Sequence, residues 1–190
     1  MAASAESATP EPRIAVVGAG AVGGYIGAHL AHAGHDVTLI DMWPAHVEAM
    51  RANGLKIFGM TEAEALTVPV QAIHLTEAQK LAKQRPIDIV ILSVKSYDSV
   101  WATSFIAQYL APEGYVVSAQ NSINENAIAS VVGWGRTVGC MVGNNYAVDL
   151  YEPGCIRRTM PKSAAGGSDA YAALQVGEVH GRITPRLQRL

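Results

Sequence analysis

The chain has 190 residues, of which 49% are hydrophobic and 16% are charged, and its formal net charge is −2 at pH 7. This composition suits one globular domain with a buried core, and the near-neutral charge offers no general attraction to nucleic acid or to an acidic membrane. No apolar run approaches the roughly 20 residues that span a bilayer, and two cysteines are no disulfide framework, so we expect a cytoplasmic protein without nucleic-acid or membrane partners.

The first 12 residues are rich in Ala, Ser and Pro. They lack the basic start and the apolar core of a signal peptide, so we predict a disordered leader over residues 1–12. Residues 13–190 are then expected to form one domain.

The clearest motif begins directly after the leader. An apolar run over 14–17 precedes a glycine-rich loop over 18–23, an Ala-rich segment to Ala33, a second apolar run over 37–40, and Asp41. This order predicts a strand, a turn, a helix over 21–33 that Gly34 ends, and a second strand. A GxGxxG loop between strand and helix, with an acid about 20 residues later, is the dinucleotide-binding fingerprint.

Each glycine of this loop has its own expected role. Gly18 permits the tight turn, Gly20 lets a pyrophosphate approach the backbone closely, and Gly23 lets the helix pack near the strand. The free N–H groups of the helix terminus favour the phosphates. The predicted cofactor-binding loop is therefore Gly18, Ala19, Gly20, Ala21, Val22 and Gly23.

Asp41 is expected to accept hydrogen bonds from the ribose hydroxyls of NAD. The additional phosphate of NADP would meet a second anion there, and no arginine follows at once, so Asp41 favours NAD(H).

The middle of the chain continues with shorter elements. Pro44 and Asn53-Gly54 bound a predicted second helix. Residues 55–75 are predicted to form short strands joined by an acidic turn over 62–64. A capping box over 76–79 predicts a helix that stops before Pro86.

A nearly continuous apolar run over 87–94 is typical of a central parallel strand, and Lys95 follows it. We predict a helix over 99–110 and a strand over 115–119, which ends at Gln120-Asn121-Ser122. A second capping box over 122–125, with Ser122 as the cap, predicts a helix to Val132. The remaining predictions are a strand over 137–142, a turn over 149–154, a strand over 155–159, a loop over 161–170 and an alternating segment over 171–179.

Alternating strands and helices predict an α/β fold, a doubly wound and mostly parallel Rossmann-type sheet with helices on both faces. In such sheets ligands bind over the carboxyl ends of the strands. This rule places the glycine loop, Asp41, Lys95 and Asn121 in one crevice.

Four segments together resemble the ketopantoate reductase (2-dehydropantoate 2-reductase) family. They are GAGAVGGYIGAHLAHAGHDVTLID at 18–41, VKSYD at 94–98, QNSINEN at 120–126 and GEVHGRITPR at 177–186. The resemblance covers the chain after the leader and corresponds to the N-terminal, cofactor-binding domain of the family.

The resemblance implies an oxidoreductase in which NADPH reduces ketopantoate to pantoate for pantothenate biosynthesis. It implies that Lys95 and Asn121 lie beside the nicotinamide and bind the substrate, and that Ala147 borders the cofactor. Family usage thus favours NADP(H), whereas Asp41 favours NAD(H). A lysine and an asparagine at strand ends can also bind a carboxylate and a keto oxygen on chemical grounds alone.

The sequence departs from the family in three places. Ser122 stands where the QN motif usually continues with glycine, and Asp41-Met42 stands where a basic residue commonly follows the second strand. The helical C-terminal domain, which supplies the proton-donating lysine, has no counterpart, so we identify no catalytic residue in this chain. An exposed apolar docking surface is expected, and with it a homodimer. The alternative function is a dinucleotide-binding module without catalysis.

Other clusters carry less weight. His29, His32 and His35 have metal-like spacing, but they lie at the distal end of the first helix without a carboxylate or thiol, so we predict no metal site. Arg157, Arg158 and Lys162 are interpreted as a solvated face. The three tryptophans are interpreted as packing residues, although Trp43 could flank an adenine.

Overall fold

A computed structural model describes residues 11–143, 147–160 and 174–190. Most of the predicted leader and the predicted loop over 161–170, including Lys162, lie outside these ranges.

The described chain alternates strands with helices over most of its length. The strands are β1 (Ile14–Val17), β2 (Val37–Asp41), β3 (Leu55–Phe58), β4 (Leu66–Val68), β5 (Gln71–His74), β6 (Ile87–Leu92), β7 (Leu110–Ser118), β8 (Thr137–Val142), β9 (Val148–Glu152), β10 (Cys155–Arg158) and β11 (Leu174–Glu178). The α-helices are α1 (Ala21–His32), α2 (Pro44–Asn53), α3 (Ser99–Ala107), α4 (Glu125–Val132) and α5 (Pro185–Gln188), and 3₁₀ helices cover Glu62–Glu64, Leu75–Lys83, Ser96–Asp98 and Trp134–Arg136.

Seven strands form the main sheet, in the order β11-β8-β7-β6-β1-β2-β5. All neighbours are parallel except β8 and β11, which are antiparallel. The strand order reverses between β1 and β6, which is where doubly wound sheets bind ligands. The predicted fold class is confirmed.

The sheet is covered on both faces, and β1 demonstrates this most simply. Ile14 and Val16 belong to the apolar cluster that includes residues of α1 and α2, whereas Ala15 and Val17 belong to the cluster that includes residues of α3 and α4. Successive side chains of a strand point to opposite faces of the sheet. Because helices cover both faces, every residue of β1 is buried. This double burial explains why the central strands are continuous apolar runs.

A second sheet, which the sequence analysis did not predict, has the strand order β4-β3-β10-β9. Helix α1 contacts strands of both sheets and therefore lies between them. A Cβ on Gly24 would lie 2.6 Å from Ile156 Cδ1, so α1 is close to the second sheet at this glycine. The predicted turn over 149–154 is mostly β9, and only the tight connection at its end is a turn.

Two predicted helices differ from the structure. Residues 75–83 form a 3₁₀ helix whose cap is His74 rather than Thr76, because Glu77 accepts a hydrogen bond from the His74 N–H at 3.0 Å. Helix α3 ends at Ala107, since the chain enters β7 at Leu110, opposite Ile87. Pro112 is tolerated inside β7 because the register is irregular at this end of the strand.

Candidate functional site

The glycine loop leaves β1 in a conformation that only glycine adopts easily. Gly18 has φ +88°, and a Cβ there would lie 2.9 Å from the Val94 nitrogen. A Cβ on Gly23 would lie 2.1 Å from the Gly18 carbonyl oxygen, so the start of α1 packs directly on the turn. A Cβ on Gly20, in contrast, would have no heavy atom within 4 Å. The loop is therefore tight at its two ends and open at its centre.

The amino end of α1 is free to meet a ligand. Gly20 precedes the helix without a side-chain cap, and the first helical hydrogen bond runs from the Gly24 N–H to the Gly20 carbonyl at 2.8 Å. The N–H groups of Ala21, Val22 and Gly23 thus have no partner within the helix.

A cavity of about 700 Å³ lies over the carboxyl ends of the central strands. Of the predicted site residues, its lining includes Gly18, Gly20, Ala21, Val22, Asp41, Lys95 and Asn121. Ala19, Gly23 and Ala147 are not part of the lining. The structure therefore brings four parts of the sequence, the glycine loop, Asp41, Lys95 and Asn121, to one cavity.

Asp41 ends β2 at one side of the cavity. One carboxylate oxygen accepts a hydrogen bond from the Trp43 N–H at 2.9 Å, which fixes the chain as it turns into α2. Asp41 lies opposite His74 in β5, and the His74 ring contacts the Met42 carbonyl at 2.8 Å.

Arg51 is the cation of α2 that comes nearest to this corner in sequence, and it is already engaged. Its Nε donates to the Ala72 carbonyl at 2.7 Å, and its guanidinium pairs with Glu77. Hydrogen bonds from Lys80 and then from Arg51 lower the pKa of Glu77 to about 2. Arg51 is thus held by Glu77 rather than by Asp41.

Lys95 and Asn121 enter the cavity from two adjacent loops. The Ser96 hydroxyl donates to the Asn121 carbonyl at 3.2 Å, which joins the loop after β6 to the loop after β7. Both Lys95 and Asn121 are exposed, and neither side chain has a hydrogen-bond partner among residues 11–143, 147–160 and 174–190. Their N–H donors are therefore available to a ligand.

Gln120 is a buried residue of this site that the sequence analysis missed. Its Nε2 donates to the Val94 carbonyl at 2.7 Å and lies 2.9 Å from the Ser99 hydroxyl. Because Val94 precedes Lys95 and Gln120 precedes Asn121, this amide fixes the distance between the two loops. The sequence feature that could have identified Gln120 is a polar residue at the end of a buried strand.

Ser122 is not the helix cap that was predicted. It has φ +71°, a left-handed conformation, whereas Asn124 precedes α4 and makes no side-chain cap. The Asn124 amide instead donates to the Asn121 carbonyl at 2.7 Å. Ser122 therefore occupies a position whose backbone favours glycine.

Exposed aromatic and apolar side chains lie near the cavity. Tyr97 and Trp101 line it and are 85% and 52% exposed, and Ile123, next to the Asn121 loop, is 86% exposed. Trp43 is 40% exposed and stacks on His46. The prediction that the tryptophans pack inside the protein is therefore only partly right.

Two further predictions concern charged and metal-binding groups. Arg158 is buried and pairs with Glu64, so it does not form a solvated face with Arg157. Within the described residues, no group of three or more His, Cys, Asp or Glu side chains could hold a metal ion. No helix in the same ranges is both long and apolar enough to cross a membrane.

This chain is similar in sequence and in structure to known proteins. Residues 14–163 match the family described as Ketopantoate reductase PanE/ApbA. The 2-dehydropantoate 2-reductase of Pyrococcus abyssi is 35% identical over 148 residues, which cover 77% of this chain and 44% of that protein. This chain thus spans about half the length of the curated relatives it matches.

Solved structures agree with this result. The crystal structure of 2-dehydropantoate 2-reductase from Geobacter metallireducens has a TM-score of 0.73 and 29% identity, and the similarity covers 93% of this chain and 52% of that one. The ternary structure of D-mandelate dehydrogenase with NADH and anilino(oxo)acetate has a TM-score of 0.66 and 25% identity. This similarity covers 77% of this chain and 45% of that one.

Proposed function

The chain belongs to the ketopantoate reductase family of oxidoreductases, and from this premise we propose that it is the cofactor-binding part of an NAD(P)H-dependent reductase of a small 2-keto acid. Ketopantoate, reduced to pantoate, is the proposed substrate. The observation that carries the proposal is the convergence of the glycine loop, Asp41, Lys95 and Asn121 on one cavity.

The residues of this cavity fit a dinucleotide. The open space at Gly20 admits a pyrophosphate to the backbone, and the unused N–H groups of α1 favour its charge. Asp41 can accept hydrogen bonds from a ribose at the far side of β2. The volume of about 700 Å³ lies within the range of roughly 300–1,000 Å³ that is typical of ligand pockets.

Lys95 and Asn121 are proposed to hold the keto acid. The Lys95 ammonium can pair with the substrate carboxylate, and the Asn121 amide can donate to the keto oxygen. Donors in these positions stabilise the negative charge that develops on that oxygen. A bound nicotinamide supplies the hydride, and the Gln120 bridge keeps the two donors in register with each other.

We propose that NADH is preferred over NADPH, in line with the Asp41 argument. Arg51 supports this preference, because its contacts with Ala72 and Glu77 keep it from neutralising a second phosphate beside Asp41. Two like charges about 4 Å apart repel by about 4 kcal/mol at an effective dielectric constant of about 20, and by less where solvent screens them.

One experiment tests the whole proposal. NADH and NADPH are titrated separately into the protein, and ketopantoate is then added while oxidation of the cofactor is followed. We expect NADH to bind at least about tenfold more tightly, a difference of about 1.4 kcal/mol. Lys95→Met should bind NADH but lose the keto acid, whereas Lys83→Met, on the 3₁₀ helix outside the cavity, should behave as the parent protein.

The outcomes separate the parts of the proposal. Tighter binding of NADPH would contradict the role given to Asp41. Binding of cofactor without turnover is the result expected of a cofactor-binding part whose catalytic groups lie elsewhere, and turnover by this chain alone would contradict that assignment. Failure to bind either cofactor would overturn the proposal altogether.

A further inference from the structure

His46 is a fully buried histidine of α2 that does not line the cavity. Its Nδ1 accepts a hydrogen bond from the Gly154 N–H at 2.8 Å, in the connection between β9 and β10. Its Nε2 lies 2.9 Å from the carbonyl oxygen of Ala19, in the glycine loop. Because Nδ1 is an acceptor, the hydrogen-bond pattern assigns the proton to Nε2, which donates to Ala19.

The hydrogen bond to Ala19 has a consequence for the next peptide nitrogen. In a planar trans peptide the C=O and the N–H point in opposite directions. Since His46 holds the Ala19 carbonyl on the buried side, the Gly20 N–H of the same peptide points away from His46, towards the open side of the loop. Gly20 lines the cavity, and no heavy atom would lie within 4 Å of a Cβ placed on it.

We propose that His46 is a positioning residue for the dinucleotide: it turns the Ala19–Gly20 peptide so that the Gly20 N–H donates to the pyrophosphate. This inference rests on the proposed cofactor function and adds a residue to it. Trp43 stacks on the His46 ring, with centroids 5.8 Å apart and an interplanar angle of 21°, which holds the ring in place. The second sheet thereby takes part in positioning the cofactor loop, because Gly154 orients the same ring from the other side.

Two substitutions separate this role from general packing. In His46→Gln the side-chain amide nitrogen reaches the position of Nε2 and can still donate to Ala19. In His46→Asn the shorter side chain can accept from Gly154 but cannot reach Ala19. Each variant loses one buried hydrogen bond, so their melting temperatures should fall by similar amounts.

The readout is the Kd for ADP-ribose, which carries the pyrophosphate, with adenosine as a ligand that lacks it. We expect His46→Asn to bind ADP-ribose about tenfold more weakly than His46→Gln, which equals about 1.4 kcal/mol. Adenosine should bind equally to both. Equal ADP-ribose affinities at matched melting temperatures would overturn the role of His46.

A measurement on the unmodified protein covers the case in which either variant fails to fold. The amide resonance of Gly20 should shift on addition of ADP-ribose, and an unshifted resonance at saturation would overturn the proposal. Binding of NADH by the parent protein tests the cofactor function independently. The His46 role can therefore fail while the cofactor function stands.

Discussion

Replacement of Gly20 by alanine should separate cofactor binding from folding. A Cβ on Gly20 has no heavy atom within 4 Å, and φ is −66°, which alanine also adopts. We therefore expect the free energy of unfolding to change by less than about 0.5 kcal/mol, as for other substitutions without new contacts. The methyl group would instead occupy the side of the loop from which the pyrophosphate approaches.

The loss of binding can be estimated from the hydrogen bonds that the methyl group obstructs. A hydrogen bond to a charged group is worth about 1.5–3 kcal/mol, so the Kd for NADH should rise between about 10-fold and 150-fold. Binding is measured by calorimetry, and folding is measured by thermal melting followed by circular dichroism.

Two other glycines provide the controls. Gly135→Ala also places a Cβ in open space, in the 3₁₀ helix Trp134–Arg136, and should change neither property. Gly23→Ala places its Cβ 2.1 Å from the Gly18 carbonyl oxygen and should unfold the protein. The reasoning is refuted if Gly20→Ala binds NADH as tightly as the parent protein, or if Gly135→Ala weakens binding equally.

Two further predictions concern stability. Ser122→Gly should raise the unfolding free energy by up to about 1.6 kcal/mol, because it relieves a φ of +71° that costs about 1–2 kcal/mol, while the added chain entropy offsets about 0.4–1 kcal/mol. The control is Ser130→Gly, inside α4, which should lower the unfolding free energy by about 1 kcal/mol. Equal losses of melting temperature in the two variants would show that Ser122 is not strained. The hydrogen bond from Arg186 lowers the pKa of the buried Glu178 carboxyl from 4.5 to about 2, so stability that is present above pH 4.5 should be lost as the pH falls towards 2. Glu178→Gln should melt lower at neutral pH and show a smaller fall below pH 4.5, and an unchanged acid profile would exclude this contribution.

The main sheet could be predicted because its signals are local. The apolar runs over 14–17 and 87–92, the glycine loop between strand and helix, and the bounding Pro44 and Gly54 are each visible within a few residues. The rule that ligands lie at the carboxyl ends of strands then predicts from the sequence that Asp41, Lys95 and Asn121 lie close together. The cavity contains these three residues.

The second sheet could not be predicted in the same way, because its pairing is not local. β3 pairs with β10 through partners such as Lys56 and Cys155, and no short segment carries that information. β9 is mostly exposed, so it was interpreted as part of a turn. The backbone of Ser122 is a different case: serine commonly caps helices, and the one sign of a left-handed conformation was the glycine that the family usually has at this position.

The same contrast between local signals and distant contacts applies within the proposed site. The groups that would touch a ligand lie directly after strands, where sequence patterns reveal them. The groups that hold them are buried and distant, since Gln120 reaches back to Val94 across 26 positions and His46 meets Gly154 across 108. The strand, loop and helix of residues 14–32 therefore contain the proposed cofactor loop but not the His46 contact that we propose orients its Ala19–Gly20 peptide. Recognition of the glycine motif identifies where a dinucleotide would bind, and α2 together with the second sheet determines how well the loop is prepared to receive it.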